Sequence, residues 1–473
     1  MMKQLDLSAF KSMSIYAVSL FLMKGVSLLM LPVMANYLSP TQLGELELLA
    51  TTTAFLCLLV GLSMHENLYR FVGAIKSAPQ RLSQTASIYY SCLVISAVLC
   101  LALIWLIQQL KHHLTMFTEY QLILVVVVLL FESALAISTA WLRMQDKAMT
   151  FLKVSVVCTV LQVTLILTVL MTKPEVTSIF AAGVFATFVQ FLILHCINQF
   201  KPVLPSYGEL KKYFIYSLPL MLSALVAFGL NGAERWFIAY SSSLETLGLY
   251  AIAAKFALAM CILVQPFGMW WMPKRFETLN HSGVHKASMI TELGIFYVCS
   301  LAVLVGIGAQ LVIRVALPDV YASACALVIG TIFMAMLKEI SDLINIGLLY
   351  QKKTHWLLAI NISSTAVGLS LCWITLSLGV WGVIISIISA QAIRLALITY
   401  FSQYVYSIPY QYLRIVASMC MAVFILGLTQ WITTVIGLIL LVVCLLAAVS
   451  GTCWYFKRDA LYQLLSNRLP RLT

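Results

Sequence analysis

The chain has 473 residues, 62% of them hydrophobic and 10% charged, and a formal net charge of +12. Soluble domains run at about 45–50% apolar and about 25% charged, so a water-soluble fold is excluded. Fourteen apolar stretches of the roughly 20 residues that a bilayer span needs leave almost nothing for an aqueous catalytic or nucleotide-binding domain, which points to transport.

In chain order the hydropathy pattern predicts spans near 13–37, 43–69, 86–110, 120–142, 150–172, 177–198, 213–240, 247–271, 289–314, 322–349, 355–378, 381–403, 413–431 and 434–456. The first, from Met13 to Tyr37, is too long for a signal peptide and has no small-residue cleavage site, so it is expected to remain in the protein. The expected fold is all-α and polytopic: a lobe of spans 1–6 (residues 1–200), a pseudo-symmetric lobe of spans 7–12 (201–406), two extra helices (407–456) and an amphipathic tail (457–473). A polar linker, Asn198 to Lys212, carries Pro202 and Pro205 between the lobes.

A weak internal repeat suggests the two lobes. Tyr37-Leu-Ser-Pro-Thr-Gln-Leu-Gly-Glu, running to Leu68-Tyr-Arg-Phe, recurs as Tyr240-Ser-Ser-Ser-Leu-Glu-Thr-Leu-Gly-Leu, running to Met272-Pro-Lys-Arg-Phe. Six spans separate the copies, so both enter the membrane in the same sense, as in a parallel repeat with the substrate path between halves. The alternative is a chance likeness between two Leu-rich segments.

With the N-terminus inside, twenty-one of the 29 basic residues fall in or beside inside segments and only Lys111 and Lys173 in outside loops. The positive-inside rule then places both termini in the cytoplasm, and the net charge becomes an orientation signal facing anionic lipid, not a nucleic-acid footprint. The twelve cysteines are scattered through apolar runs without Cys-x-x-Cys spacing and read as small hydrophobes. His112 and His113 lack the partners of a metal site. Neither a metal nor a cofactor is expected.

The run from Lys24-Gly-Val-Ser to Gln42-Leu-Gly-Glu, followed by Gly61-Leu-Ser-Met-His-Glu-Asn-Leu-Tyr-Arg-Phe, resembles the opening of the Wzx-type O-antigen flippases of the multidrug/oligosaccharidyl-lipid/polysaccharide exporter superfamily. The likeness covers the first two spans well and the rest by span count, repeat and loop lengths. It implies a V-shaped pair of six-helix lobes around a cavity lined mainly by spans 1, 2, 7 and 8, and partly by 4 and 10. It further implies alternating-access movement of an undecaprenyl-pyrophosphate-linked oligosaccharide to the outer leaflet of a bacterial inner membrane. A polysaccharide polymerase and a chain-length regulator are the implied partners, and some relatives are coupled to a proton or sodium gradient.

Charges inside spans cost roughly 2.5–3.5 kcal/mol each on the insertion scale, so they face a protein interior or a wet cavity. Lys24, Arg235, Lys255 and Lys338 are therefore candidates for binding a pyrophosphate and glycan, Arg bidentately and Lys as a point charge. The alternative is that they anchor helices through interhelical pairs. A cationic chamber suits this cargo better than it suits a cationic drug, the cargo of a multidrug antiporter in the same superfamily. An oligosaccharide polymerase would need a large outside loop, and the longest here runs from about Lys111 to Glu119.

Glu132, Glu339 and Asp342 are candidate coupling-ion carboxylates, with a protonated structural carboxyl as the alternative reading of Glu132. Lys338 and Asp342, four apart, are expected to pair along one face while Glu339 points elsewhere. Glu234 and Arg235, adjacent and thus about 100° apart on a helix, are expected not to pair with each other. Glu66 and Arg70, with Glu234, are gate candidates. Glu45 and Glu47 are expected to serve the N-terminus of span 2. Arg394 is expected to balance an acid or line the second lobe, and Pro32, Pro219 and Pro266 are candidate hinges.

Overall fold

Ser39, Thr118, Ser206 and Ser243 each cap the start of a helix, and apolar runs fill the helices that follow. The computed structural model describes residues 15, 21–22, 25–73, 75–110, 116–432 and 436–437. The helices are α1 (Gly25–Tyr37), α2 (Pro40–Gly61), α3 (Ala78–Leu110), α4 (Glu119–Met144), α5 (Ala148–Thr172), α6 (Val176–Asn198), α7 (Tyr207–Asn231) and α8 (Glu234–Ser241). They continue as α9 (Leu244–Ser282), α10 (Val284–Ala316), α11 (Ala324–Ile344), α12 (Ile346–Tyr350), α13 (Thr354–Ile374), α14 (Gly379–Val405) and α15 (Tyr412–Leu428). Among the described residues there is no strand, and eleven helical runs are long and apolar enough to cross a membrane. The shorter α1 and α15 occupy expected spans 1 and 13. Expected span 14, apart from residues 436–437, and the tail 457–473 lie outside the described residues.

Two expected spans end differently. The span predicted over 43–69 stops at Gly61, where Leu62 and Ser63 take left-handed φ values of 47° and 49°, and a π-helical turn follows at Leu68–Val72. The span predicted over 213–240 is broken: Gly232 (φ −156°, ψ −39°) separates α7 from α8. Hydropathy averaged over 20 residues cannot register a one-residue break of this kind.

Helices of the first half pack mainly with one another, α4 against α2, α3 and α6, and α5 against α6. In the second half α9 packs on α10 and α11, and α14 on α11 and α13. The most extensive seam between the groups runs along α2 and α9. The repeated motif builds it. Ser39 caps α2, accepting from Gln42 N at 3.3 Å while Gln42 Oε1 accepts from Ser39 N at 2.9 Å, and Ser243 caps α9 through Thr246 N at 3.1 Å.

One turn further, a Cβ at Gly44 would overlap the carbonyl of Leu244, and one at Gly248 would overlap the carbonyl of Pro40. The two Leu-Gly steps therefore meet reciprocally, backbone on backbone, at a distance that excludes any side chain. The seam continues where Tyr321, fully buried, donates to Leu38 O at 2.6 Å. Gly44→Val or Gly248→Val is expected to force the helices apart at an overpacking cost of about 1–3 kcal/mol. Thermal unfolding of the detergent-purified protein should fall to lower temperature for each, whereas Val at Gly268, which has nothing within 4 Å of a Cβ, should leave it nearly unchanged.

At the opposite end of α2, α7 bridges the groups. Phe71 stacks near Tyr213 and Tyr216 at 5.7 and 5.5 Å, and Gln84 Nε2 donates to Tyr213 Oη at 3.2 Å. Past Pro219, whose ring nitrogen has no hydrogen to donate within the helix, α7 packs on α13, where Thr365 Oγ1 donates to Val226 O at 3.1 Å.

Candidate functional site

Two adjoining cavities lie on either side of α2. The first, about 590 Å³, is walled by α1, α2, α4, α5, α6 and α9, and its polar lining includes Ser27, Glu47, Thr53, Glu132, Gln162 and Lys255. The second, about 520 Å³, lies among α2, α7, α8, α9, α11 and α14 and holds Asn231, Glu234, Arg235, Tyr250, Lys338, Glu339 and Gln391. Volumes in this range suit ligands of small-molecule size. A slot of about 250 Å³ between α1 and α9 is lined by Phe21, Leu28, Leu258, Ile262 and Leu263, and shares Lys255 and Ser27 with the first cavity. Arg235 and Lys255, expected in one chamber, thus line neighbouring ones, and Lys24 lies outside the described residues.

Arg235 joins the cavities. Its Nε donates to Glu47 Oε1 at 2.6 Å across the seam, and its Nη1 donates to Glu234 Oε1 at 2.7 Å and Asn231 O at 3.3 Å. Glu234, 4% exposed at its side chain, also accepts from Tyr250 Oη at 3.2 Å. The expectation that Glu234 and Arg235 do not pair is overturned. The break at Gly232 exposes the Asn231 carbonyl and starts α8 at Glu234, where a helix N-terminus favours an acid, and the guanidinium is long enough to fold back across one residue. The capping role expected for Glu45 and Glu47 is also overturned. Ser39 caps α2, Glu45 accepts from Gln121 of α4, and Glu47 reaches the second half of the chain.

Deeper in the second half, Lys338 Nζ lies 2.9 Å from Glu339 and 3.9 Å from Asp342, and Arg394 bonds Asp342 Oδ1 and Asn361 Oδ1, each at 2.9 Å. Glu339, expected to point elsewhere, is instead the nearer partner of Lys338, because an ammonium on a flexible stem reaches a neighbouring residue as easily as one a turn away. Arg394 balances Asp342. Glu132 and Lys255, by contrast, form no ion pair among the described residues. The expected cationic chamber is therefore largely charge-balanced: Arg235, Lys338 and Arg394 each meet an acid, on their own helix or on a neighbouring one, and of the described binding candidates Lys255 alone has none.

The gate candidates separate. His65 Nε2 lies 3.4 Å from Glu66, while Arg70 is exposed and makes no ion pair with Glu66 among the described residues. Between the cavities and the seam, Trp236 Nε1 donates to Thr52 Oγ1 at 3.1 Å and its ring packs edge-on to Phe55 at 5.0 Å. Tyr250, Asn361 and the partnership of Glu47 escape sequence reasoning. Only the depth of Glu47, two turns inside α2, separates it from a cap residue.

A family model described as polysaccharide biosynthesis protein matches residues 9–278, more than half of the chain. The chain belongs to that family. No curated protein matches it. Among solved structures, the lipid II flippase MurJ in an inward closed conformation is similar over 94% of this chain and 99% of its own, at 14% identity and a TM-score of 0.69. A eukaryotic MATE transporter (12% identity, 89% and 99% covered, TM-score 0.54) and an inward-facing multidrug resistance MATE transporter (15%, 84% and 98%, 0.51) share the fold more loosely. The family member is thus a multi-pass membrane protein, all-helical among the described residues, with a MurJ- and MATE-like fold.

Proposed function

We propose that the protein is a flippase carrying a polyprenyl-pyrophosphate-linked oligosaccharide, of the undecaprenyl type, across a bacterial inner membrane by alternating access for O-antigen or capsule synthesis. In this reading both termini are cytoplasmic, residues 1–200 and 201–406 are the two lobes, and the Ser39 end of α2 faces outward. The observation that carries it is the slot between α1 and α9, lined mainly by apolar side chains and sharing Lys255 with the first cavity. A polyprenyl chain threaded there keeps to the hydrocarbon while its diphosphate passes Lys255. The family and the fold shared with a lipid II flippase support the same cargo class.

Arg235, Lys255 and Lys338 receive the diphosphate and first sugars, and Lys24 is assigned the same task from its place in the sequence. Of the three candidate coupling acids, Glu339 and Asp342 already neutralise Lys338 and Arg394, so Glu132 is assigned the coupling proton. Glu66, Arg70 and Glu234 border the two ends of the path. A polymerase and a chain-length regulator act on the delivered unit.

Depletion in a producing bacterium should accumulate polyprenyl-linked oligosaccharide on the inner leaflet and remove surface polysaccharide. The unpaired carboxylate of Glu132 favours a second reading, export of organic cations. Reconstituted protein that exports such cations and never exposes lipid-linked sugar to an outside lectin would decide for that second reading.

A further inference from the structure

The contact between Arg235 and Glu47 is the one ion pair that joins first-half and second-half helices among the described residues. It sits three residues beyond Gly44 on α2, and Thr52, bonded to Trp236, lies five residues further. At 1.5 Å per residue these three contacts fall within about 12 Å along one helix. The glycine contact is steric and the Trp236 bond is neutral. The ion pair alone can be competed by a charged ligand.

The guanidinium is arranged for such competition. Nε and Nη2 point in parallel along one edge of an arginine, the edge that a phosphate or carboxylate takes bidentately. Here Glu47 holds only Nε, through Oε1, while Nη2 has no hydrogen bond among the described residues and the side chain lines the second cavity. An arriving phosphate gains both donors where Glu47 has one. Glu234 and the Asn231 carbonyl stay on Nη1 throughout, so the cation is never left bare. Exchange of one anion for another keeps the guanidinium paired throughout, and the displaced Glu47 carboxylate stays on the wall of the first cavity, which also carries Lys255.

We infer that Glu47 is a positioning residue whose exchange for a substrate phosphate on Arg235 unlatches α2 from α8 and α9, so that the Ser39 end opens only when an anionic headgroup is seated. This rests on the proposed diphosphate cargo. It adds the requirement that cargo and opening be linked through one guanidinium edge. Specificity follows from the same geometry, since a cation or a neutral sugar cannot take the place of a carboxylate.

The test uses the full-length protein carrying Ala50→Cys in sealed proteoliposomes, because Ala50 lines the first cavity beside Glu47. A membrane-impermeant maleimide is supplied only on the Ser39-end side, and labelling at position 50 is read by mass spectrometry. Inorganic pyrophosphate should raise the labelling rate about tenfold, a population shift within reach of one charge-assisted bond. Glu47→Gln, isosteric and leaving Arg235 its Glu234 partner, should label fast without pyrophosphate and respond no further. Pyrophosphate that binds in direct titration yet leaves labelling slow would overturn the latch while sparing the cargo. Slow labelling of Glu47→Gln would overturn it as well. No pyrophosphate binding to any form would instead remove the cargo reading, and the inference with it.

Discussion

Arg235→Gln is expected to abolish lipid-linked oligosaccharide flipping. The substitution leaves Glu47 and Glu234 facing each other without the cation that both contact at 2.6 and 2.7 Å. Removing one partner of a buried ion pair costs about 3–5 kcal/mol, so loss of activity in this single variant mixes misfolding with loss of function. The double variant Glu234→Gln with Arg235→Gln separates them. It removes one charge of each sign, takes away the more deeply buried acid together with its cation, leaves Glu47 on the cavity wall that also carries Lys255, and should recover expression and most of the thermal stability of the parent. Flipping should stay depressed by about 10- to 100-fold, corresponding to the roughly 1.5–3 kcal/mol of a hydrogen bond to a charged group. The measurement is exposure of a fluorescent polyprenyl-pyrophosphate sugar to an outside lectin in vesicles. A double variant that flips at the parental rate would remove Arg235 from the binding path.

Glu132→Gln is expected to uncouple transport from a proton gradient without unfolding the protein. Gln keeps the volume and one hydrogen-bonding oxygen of a protonated carboxyl, so a purely structural Glu132 tolerates the change. What Gln cannot do is release a proton. One charge moved through 100 mV is worth about 2.3 kcal/mol, equivalent to a roughly 50-fold accumulation ratio. Proteoliposomes with the Gln variant should equilibrate substrate at an unchanged rate but lose that accumulation under an imposed gradient. Undiminished accumulation would clear Glu132 of the role and leave Glu339 and Asp342, each already held by a cation at 2.9 Å, as the remaining acids.

The membrane class, the positions of most spans and the two Leu-Gly steps are readable in the sequence because each depends on local chemistry. A bilayer accepts only segments whose backbone groups satisfy one another internally, and in a helix that satisfaction lies within a few residues. Caps such as Ser39 with Gln42 act over three residues and are equally visible. The repeat was also visible, although its cause was not. Gly44 and Gly248 recur because they press on each other's helices, which the spacing alone does not reveal.

The candidate site is different in kind. Composition picks out the charges in spans because each is costly in hydrocarbon, so the candidates Arg235, Lys255, Lys338 and Glu132 come from one-dimensional reasoning and do line the cavities. Their partners on other helices do not. Glu47 and Arg235 are 188 residues apart, Asp342 and Arg394 are 52 apart, and each pair exists only because two helices present those faces to each other. The break at Gly232 and the reach of arginine and lysine overrode the helical-wheel rule for adjacent residues. The amino-acid order by itself determined that this chain crosses the membrane many times and which charges must be sheltered there. Only the tertiary arrangement decided which acid shelters which base, because Coulomb and hydrogen-bond energies depend on distances between helices that no local pattern encodes.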